Sequence, residues 1–172
     1  VYPTGGGSGI IGMWRAFLQL RQLGFVTGDL PRLVSVQEIG CDPLATAMRC
    51  GGEFSPYRGK IGSSPTGMRV PAPPDGNLLL SILRASGGTA VAVSSEELKK
   101  AQSRLGKMGI SASPEGAATW AALIQLIDQG FVRPQDEVVL FNTSHALKYT
   151  PVPLPDLPVV KTYRDWLNTL RE

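Results

Sequence analysis

Short apolar runs alternate with amphipathic stretches along the chain. Ile10, Ile11, Met13, Trp14, Phe17, Leu18 and Leu20 fall at helical spacing, so the pattern predicts a helix over residues 10–23 that Gly24 closes. Residues 32–37 alternate as a strand does, and residues 43–50 form a short helix stopped by Gly51 and Gly52. A helix over 78–84, a strand over 88–93 and a helix over 95–108 follow; Ser94 or Ser95 caps the last, with Glu96 and Glu97 in its first turn. Residues 117–127 give a second apolar helix, ending at Gly130. Residues 137–141 are a continuous apolar run, as in a strand buried on both faces of a parallel sheet. Residues 163–170 form a short terminal helix, reached through a proline-rich extended connector over 151–158. Strand–helix alternation of this kind predicts an α/β sheet, and there are no internal repeats. The segment 53–74, rich in proline and glycine, is a long loop of the kind that often carries function.

Composition narrows the picture. At 172 residues with 42% hydrophobic and 18% charged positions, the chain has the make-up of a globular domain, not a disordered or fibrous one. The 17 basic residues are dispersed among 14 acidic ones for a net charge of +3, without the basic stripe and interleaved aromatics that nucleic acid calls for. The mild positive charge favours anionic small molecules. No apolar run is long enough to span a membrane, and no signal peptide is visible. Cys41 and Cys50, at opposite ends of the 43–50 helix, would sit about 13 Å apart, too far for a disulfide. They read as reduced thiols of a cytoplasmic protein. One histidine and no Cys/His cluster argue against zinc. The first residue is Val1, directly ahead of a glycine-rich turn, and this opening reads as a cut in a longer chain.

The opening itself carries candidate chemistry. Gly5, Gly6, Gly7, Ser8 and Gly9 lie between a strand end and a helix start. Glycines there let backbone approach a ligand closely, and the free N–H groups of the helix's first turn then face it with the positive end of the dipole. That arrangement suits a phosphate, with the Ser8 hydroxyl as a further donor. A P-loop falls away because no Gly-Lys-Ser/Thr closes the loop. Two ligand readings remain beside a purely structural turn: a dinucleotide loop, since residues 7–12 fit GxGxxG with Glu38 as a ribose acid, and a loop for the phosphate of pyridoxal phosphate.

Landmarks further along decide between them by resemblance. Gly5-Gly6-Gly7-Ser8-Gly9, Cys41-Asp42-Pro43, Thr66-Gly67-Met68-Arg69-Val70-Pro71, residues 86–94 (SGGTAVAVS), Ser113-Pro114-Glu115-Gly116-Ala117-Ala118 and Asn142-Thr143-Ser144-His145-Ala146-Leu147-Lys148 occur in order. Over residues 1–150 this series resembles the C-terminal part of the threonine synthases. These belong to the pyridoxal-phosphate superfamily that also contains the tryptophan synthase β subunit and the serine and threonine dehydratases.

The resemblance implies a three-layer α/β fold, a mainly parallel sheet with helices on both faces, forming an incomplete large domain over residues 1–150. Residues 151–172 add the connector and terminal helix. It implies pyridoxal 5'-phosphate as cofactor, its phosphate held by the N–H groups of Gly5, Gly6, Gly7, Ser8 and Gly9 and by the Ser8 hydroxyl, with the Thr143 hydroxyl at the pyridine nitrogen. The implied reaction converts O-phosphohomoserine and water to threonine and phosphate; cysteate synthase or dehydratase chemistry are alternatives, and a noncatalytic dinucleotide-binding module is the runner-up of another class. The substrate would be an amino-acid phosphate ester, and a homodimer is compatible with the full enzyme. The Schiff-base lysine is expected upstream of Val1, so the N-terminal part of the same enzyme is the implied partner and the chain alone is expected to be inactive. An exposed strand edge and an uncovered apolar face should follow from its absence.

Several positions depart from the family's pattern. Gly9 stands where several relatives have Asn, and Ser144 and Ala146 replace glycines. Ser113 occupies a position where many relatives have Glu, and Glu115 is not given that role. His145 reads as a partly exposed loop residue, and Lys148 as structural.

Overall fold

The computed structural model describes residues 1–62, 66–149 and 160–169. Three parallel strands, β1 (Tyr2–Pro3), β2 (Val34–Glu38) and β3 (Thr89–Val93), form a sheet in the order β1-β2-β3. Tyr2 is in register with Ser35, and Val36 with Val91. The connections carry helices α1 (Ser8–Gln22), α2 (Pro43–Cys50) and α3 (Gly76–Ala85), and after β3 come α4 (Ser95–Lys107) and α5 (Pro114–Asp128). A short helix α6 (Tyr163–Thr169) follows, with Tyr163 stacked on Trp166. The expected connector over 151–158 lies outside the described residues. Among the described residues no helix is long and apolar enough to cross a membrane.

Strand alternation divides the core in two. Val34, Val36, Val91 and Val93 point to one face, where Leu98 and Leu105 of α4 and Ala118, Ala122 and Leu126 of α5 cover them. Ala90 points to the other, with Ile10 of α1, Leu44 of α2 and Leu79, Leu80 and Leu83 of α3. Helices on both faces of a parallel sheet make the three-layer α/β architecture that the sequence implied. The polar residues of β2 are also placed by this alternation. Gln37, fully buried, accepts hydrogen bonds at Oε1 from the N–H groups of Leu44 (2.8 Å) and Ala45 (3.2 Å). It thereby satisfies the start of α2, which its N-cap Asp42 does not.

Helix ends follow the sequence closely. Ser94 caps α4 in a reciprocal capping box, its Oγ accepting from the Glu97 N–H and the Glu97 carboxylate accepting from the Ser94 N–H. Gln125 of α5 donates to the other Glu97 oxygen at 3.0 Å, so the cap also ties α4 to α5.

The apolar run at 137–141 is a correction to the sequence reading. It is extended beside Val1, whose amino group donates to the Val139 carbonyl (2.8 Å) and whose carbonyl accepts from the Phe141 N–H (3.2 Å). Its side chains are not buried on both faces; Val139 is 66% exposed. Phe141 also meets the Tyr2 ring edge-on at 5.2 Å, and the run lies beside the start of β1 without being a strand of the sheet. The helical stripe of α1 packs on the core through Ile10, Ile11, Met13, Trp14 and Phe17, whereas Leu18 and Leu20 near its end, and Leu23 and Phe25 just after it, are exposed. Just before β2, Arg32 ties the 131–136 turn down, donating to the Phe131 carbonyl, pairing with Asp136 at 2.6 Å and lying over the Phe131 ring.

Two outcomes test this packing. Leu79→Ala empties a fully buried position between α3 and the start of α1, and should cost about 3 kcal/mol in urea-denaturation stability. For Glu97, burial acts to raise the carboxyl, but the hydrogen bonds from Ser94 and Gln125 outweigh it and hold the group below its ordinary value of 4.5. A carboxylate depressed in the folded state contributes stability that is present above its unfolded value and is lost as pH falls through the folded one. Denaturation midpoints should therefore fall with acidification below about pH 4.5, and Glu97→Gln should flatten that part of the profile.

Candidate active site

The loop after β1 determines the geometry. Gly7 is the N-cap of α1 with φ at +87°, a left-handed conformation that glycine alone adopts freely, and a Cβ there would also lie 2.3 Å from a Leu79 methyl. Because the cap is glycine, no side chain satisfies the first turn of α1, and that turn carries no acidic residue. Its first-turn amide donors and the positive end of a 15-residue helix are thus left without a side-chain partner.

Gly5 is where the long 53–74 loop comes in. A Cβ on Gly5 would lie 2.2 Å from the Gly67 carbonyl oxygen, so only glycine permits the single 3₁₀ turn Thr66–Met68 to pack against the glycine loop. The Gly67 N–H then donates to Glu115 Oε1 at 3.1 Å. Glu115 stands in the first turn of α5, where Ser113 caps the helix by accepting from the Gly116 N–H. The same helix start holds the loop that carries Thr143. The Ser113 N–H donates to the Ser144 carbonyl (3.2 Å), Asn142 donates to the Ser111 carbonyl (3.3 Å), and His145 Nδ1 meets the Ser111 hydroxyl (3.2 Å).

These segments line one cavity of about 220 Å³, to which the glycine loop contributes Gly5, Gly6, Gly7, Ser8 and Gly9, the start of the chain Tyr2 and Pro3, and the other segments Gly67, Glu115, Thr143 and Tyr149. All six residues singled out from the sequence, Gly5, Gly6, Gly7, Ser8, Gly9 and Thr143, therefore meet although 134 positions separate Gly9 from Thr143. Gly67 lies within one of the sequence motifs; Tyr149 carries no signal in the sequence. Glu115, to which the sequence reading gives no role, is 4% exposed and its Oε2 has no hydrogen-bond partner. His145 is exposed and caps the short turn Ala146–Lys148, accepting from the Leu147 N–H, which makes it a structural loop residue. Glu38, the ribose acid of the dinucleotide reading, is fully buried and accepts from the Ser95 hydroxyl instead of lining the cavity. Cys41 is buried and Cys50 exposed, and no cluster of metal-ligating side chains occurs among the described residues.

A parallel α/β sheet with a glycine loop between a strand end and a helix N-terminus places the chain among the α/β proteins whose ligand sites lie at the carboxyl ends of the strands. Within that class, residues 1–144 match the family described as "Pyridoxal-phosphate dependent enzyme", and the chain belongs to that family. Pyridoxal phosphate is the family's cofactor. Among curated proteins the chain is 32% identical over 149 residues to the threonine synthase of Methanosarcina acetivorans, a match covering 86% of this chain and 36% of that protein. It is 29% identical over 150 residues to the threonine synthase of Methanocaldococcus jannaschii (86% and 36%) and 29% identical over 148 residues to the cysteate synthase of Methanoregula boonei (80% and 35%). The chain thus spans about a third of the length of the curated relatives it matches. The crystal structure of a threonine deaminase from T.th. has the same fold, with a TM-score of 0.55 at 22% identity over 78% of this chain and 44% of that one.

The close approach at Gly5 gives a direct test. Gly5→Ala should push the 66–68 turn away from the glycine loop, lowering stability by about 1–3 kcal/mol and accelerating hydrogen exchange at the Gly67 amide. Gly6→Ala, where a Cβ meets nothing within 4 Å, should leave both unchanged.

Proposed function

We propose that this chain is the cofactor-phosphate-binding portion of a threonine synthase, an enzyme converting O-phosphohomoserine and water to threonine and phosphate. One observation carries the reading: the uncapped, acid-free N-terminus of α1, the glycine loop and Thr143 converge on a single cavity. The residues present fit pyridoxal phosphate. The N–H groups of Gly5 through Gly9 and the Ser8 hydroxyl hold the phosphate. The Thr143 hydroxyl meets the pyridine nitrogen; as a neutral partner it leaves the ring less firmly protonated than a carboxylate would. When bound, the cofactor supplies the electron sink for chemistry at the amino acid. Residues 1–150 belong on this reading to the cofactor-binding large domain, and 151–172 to a connector and terminal helix.

No lysine lines the cavity among the described residues. The Schiff-base lysine and the groups that select the substrate therefore come from another part of the enzyme, and the chain alone binds the cofactor weakly and does not turn over. The similarity to a cysteate synthase supports a second reading within the same cofactor chemistry, with a different amino-acid substrate.

Titrating the purified chain with pyridoxal phosphate into the millimolar range should shift and broaden the cofactor's ³¹P resonance. Borohydride reduction followed by peptide mapping should label no single lysine stoichiometrically, and O-phosphohomoserine should yield no threonine. Stoichiometric labelling of one lysine would overturn the division of the site. Binding of NAD without any response to pyridoxal phosphate would replace the reading with the dinucleotide one.

A further inference from the structure

Gly9 is a glycine for a reason that its backbone does not supply. It is the second residue of α1, and its φ lies outside the left-handed region that Gly7 occupies. Inside a helix glycine is less favourable than alanine. The reason lies in what a side chain would meet: a Cβ on Gly9 would overlap Cζ and Oη at the end of the Tyr2 ring. The glycine makes room for a tyrosine. The Tyr2 hydroxyl thereby lies against the first turn of α1, where the side chain of residue 9 would otherwise begin.

The ring and the hydroxyl of Tyr2 have separate explanations. The ring is half-buried on the α1 face of the sheet and meets Phe141 edge-on at 5.2 Å. A phenylalanine would make both contacts. The hydroxyl has no hydrogen-bond partner among the described residues, although Tyr2 lines the cavity together with Gly5, Gly6, Gly7, Ser8 and Gly9. A phenol O–H is a donor, and here it stands beside first-turn amide donors that no side chain caps. Donors supplied side by side by a strand and a helix start suit an anion. The oxygens of a phosphate are strong acceptors and take further donors beyond the loop amides and the Ser8 hydroxyl.

We propose that Tyr2 is a ligand-binding residue of this site, its hydroxyl donating a hydrogen bond to the phosphate of the bound cofactor from the space that Gly9 leaves open. This rests on the reading of the cavity as a pyridoxal-phosphate site. The contact with Phe141 restrains the ring, so the donor is in place before the anion arrives. The 137–141 run, which is not a strand of the sheet, thus supports the site through one aromatic contact.

Tyr2→Phe separates the hydroxyl from the ring. By ³¹P titration the variant should bind inorganic phosphate and pyridoxal phosphate each about tenfold more weakly than the unaltered chain, with an unchanged denaturation midpoint. In the unaltered chain the ¹³C resonance of Tyr2 Cζ should move with inorganic phosphate and with pyridoxal phosphate, and stay still with pyridoxal, which lacks the phosphate. That measurement needs no variant to fold. Undiminished phosphate binding by Tyr2→Phe, a Cζ resonance that ignores phosphate, or a loss confined to pyridoxal phosphate overturns the contact while leaving the cofactor reading intact. A Tyr2 response to inorganic phosphate without any binding of pyridoxal phosphate overturns the cofactor reading and leaves an anion contact in its place. Failure of the unaltered chain to bind either anion overturns both.

Discussion

The site depends on how closely two stretches of backbone approach each other. Gly5, at the end of β1, and Gly67, in the middle of a long irregular loop, pack so tightly that a single Cβ on Gly5 would overlap the Gly67 carbonyl. That contact directs the Gly67 N–H to Glu115, and so connects the glycine loop, the 53–74 segment and α5. From the start of α5 the connection continues through Ser113 to Ser144, which places the neighbouring Thr143 in the cavity wall. Each of these hydrogen bonds contributes only about 1 kcal/mol. Their consequence is geometric, because they bring together four segments that are far apart in sequence.

The sheet makes this possible by ending its strands where the loops begin. A ligand that binds outside the C-terminal ends of parallel strands meets helix N-termini there, and with them unpaired amide donors. Here α1 keeps its donors open because a glycine caps it, whereas α2 has its own satisfied from within the sheet by Gln37 and α4 by its capping box. The difference between a helix start closed from within and one left open is therefore a difference in capping. Beside this sheet Val139 is exposed, as are Leu18 and Leu20 near the end of α1 and Leu23 and Phe25 just after it. Surfaces of that kind normally mark an interface, in keeping with a chain that spans about a third of the length of its curated relatives.

Most helices and both longer strands were legible because periodicity reports burial: the 43–50 helix matches to the residue, and the cap of α4 was narrowed to Ser94 or Ser95, of which Ser94 is the cap. The apolar run at 137–141 was misread for the converse reason. Hydrophobicity shows that a segment can be buried, not whether this chain supplies neighbours to bury it. The glycine loop was legible because its conformational demand is local, and Thr143 only through a resemblance.

The sequence by itself determined the local chemistry: a loop of glycines whose backbone can face a phosphate, helices with their caps, and an alternation that makes a parallel sheet. Only the tertiary structure decided which side chains complete the site. Glu115 is discounted by its position in a motif, yet it lines the cavity because α5 begins beside Gly67 and the close approach at Gly5 holds Gly67 there. Glu38, which fits a dinucleotide fingerprint by spacing, is removed from it by burial against Ser95. Spacing along a chain constrains what is near in sequence. Burial and hydrogen bonding between distant segments are set by how the layers pack, and they determine which acidic groups a ligand can reach.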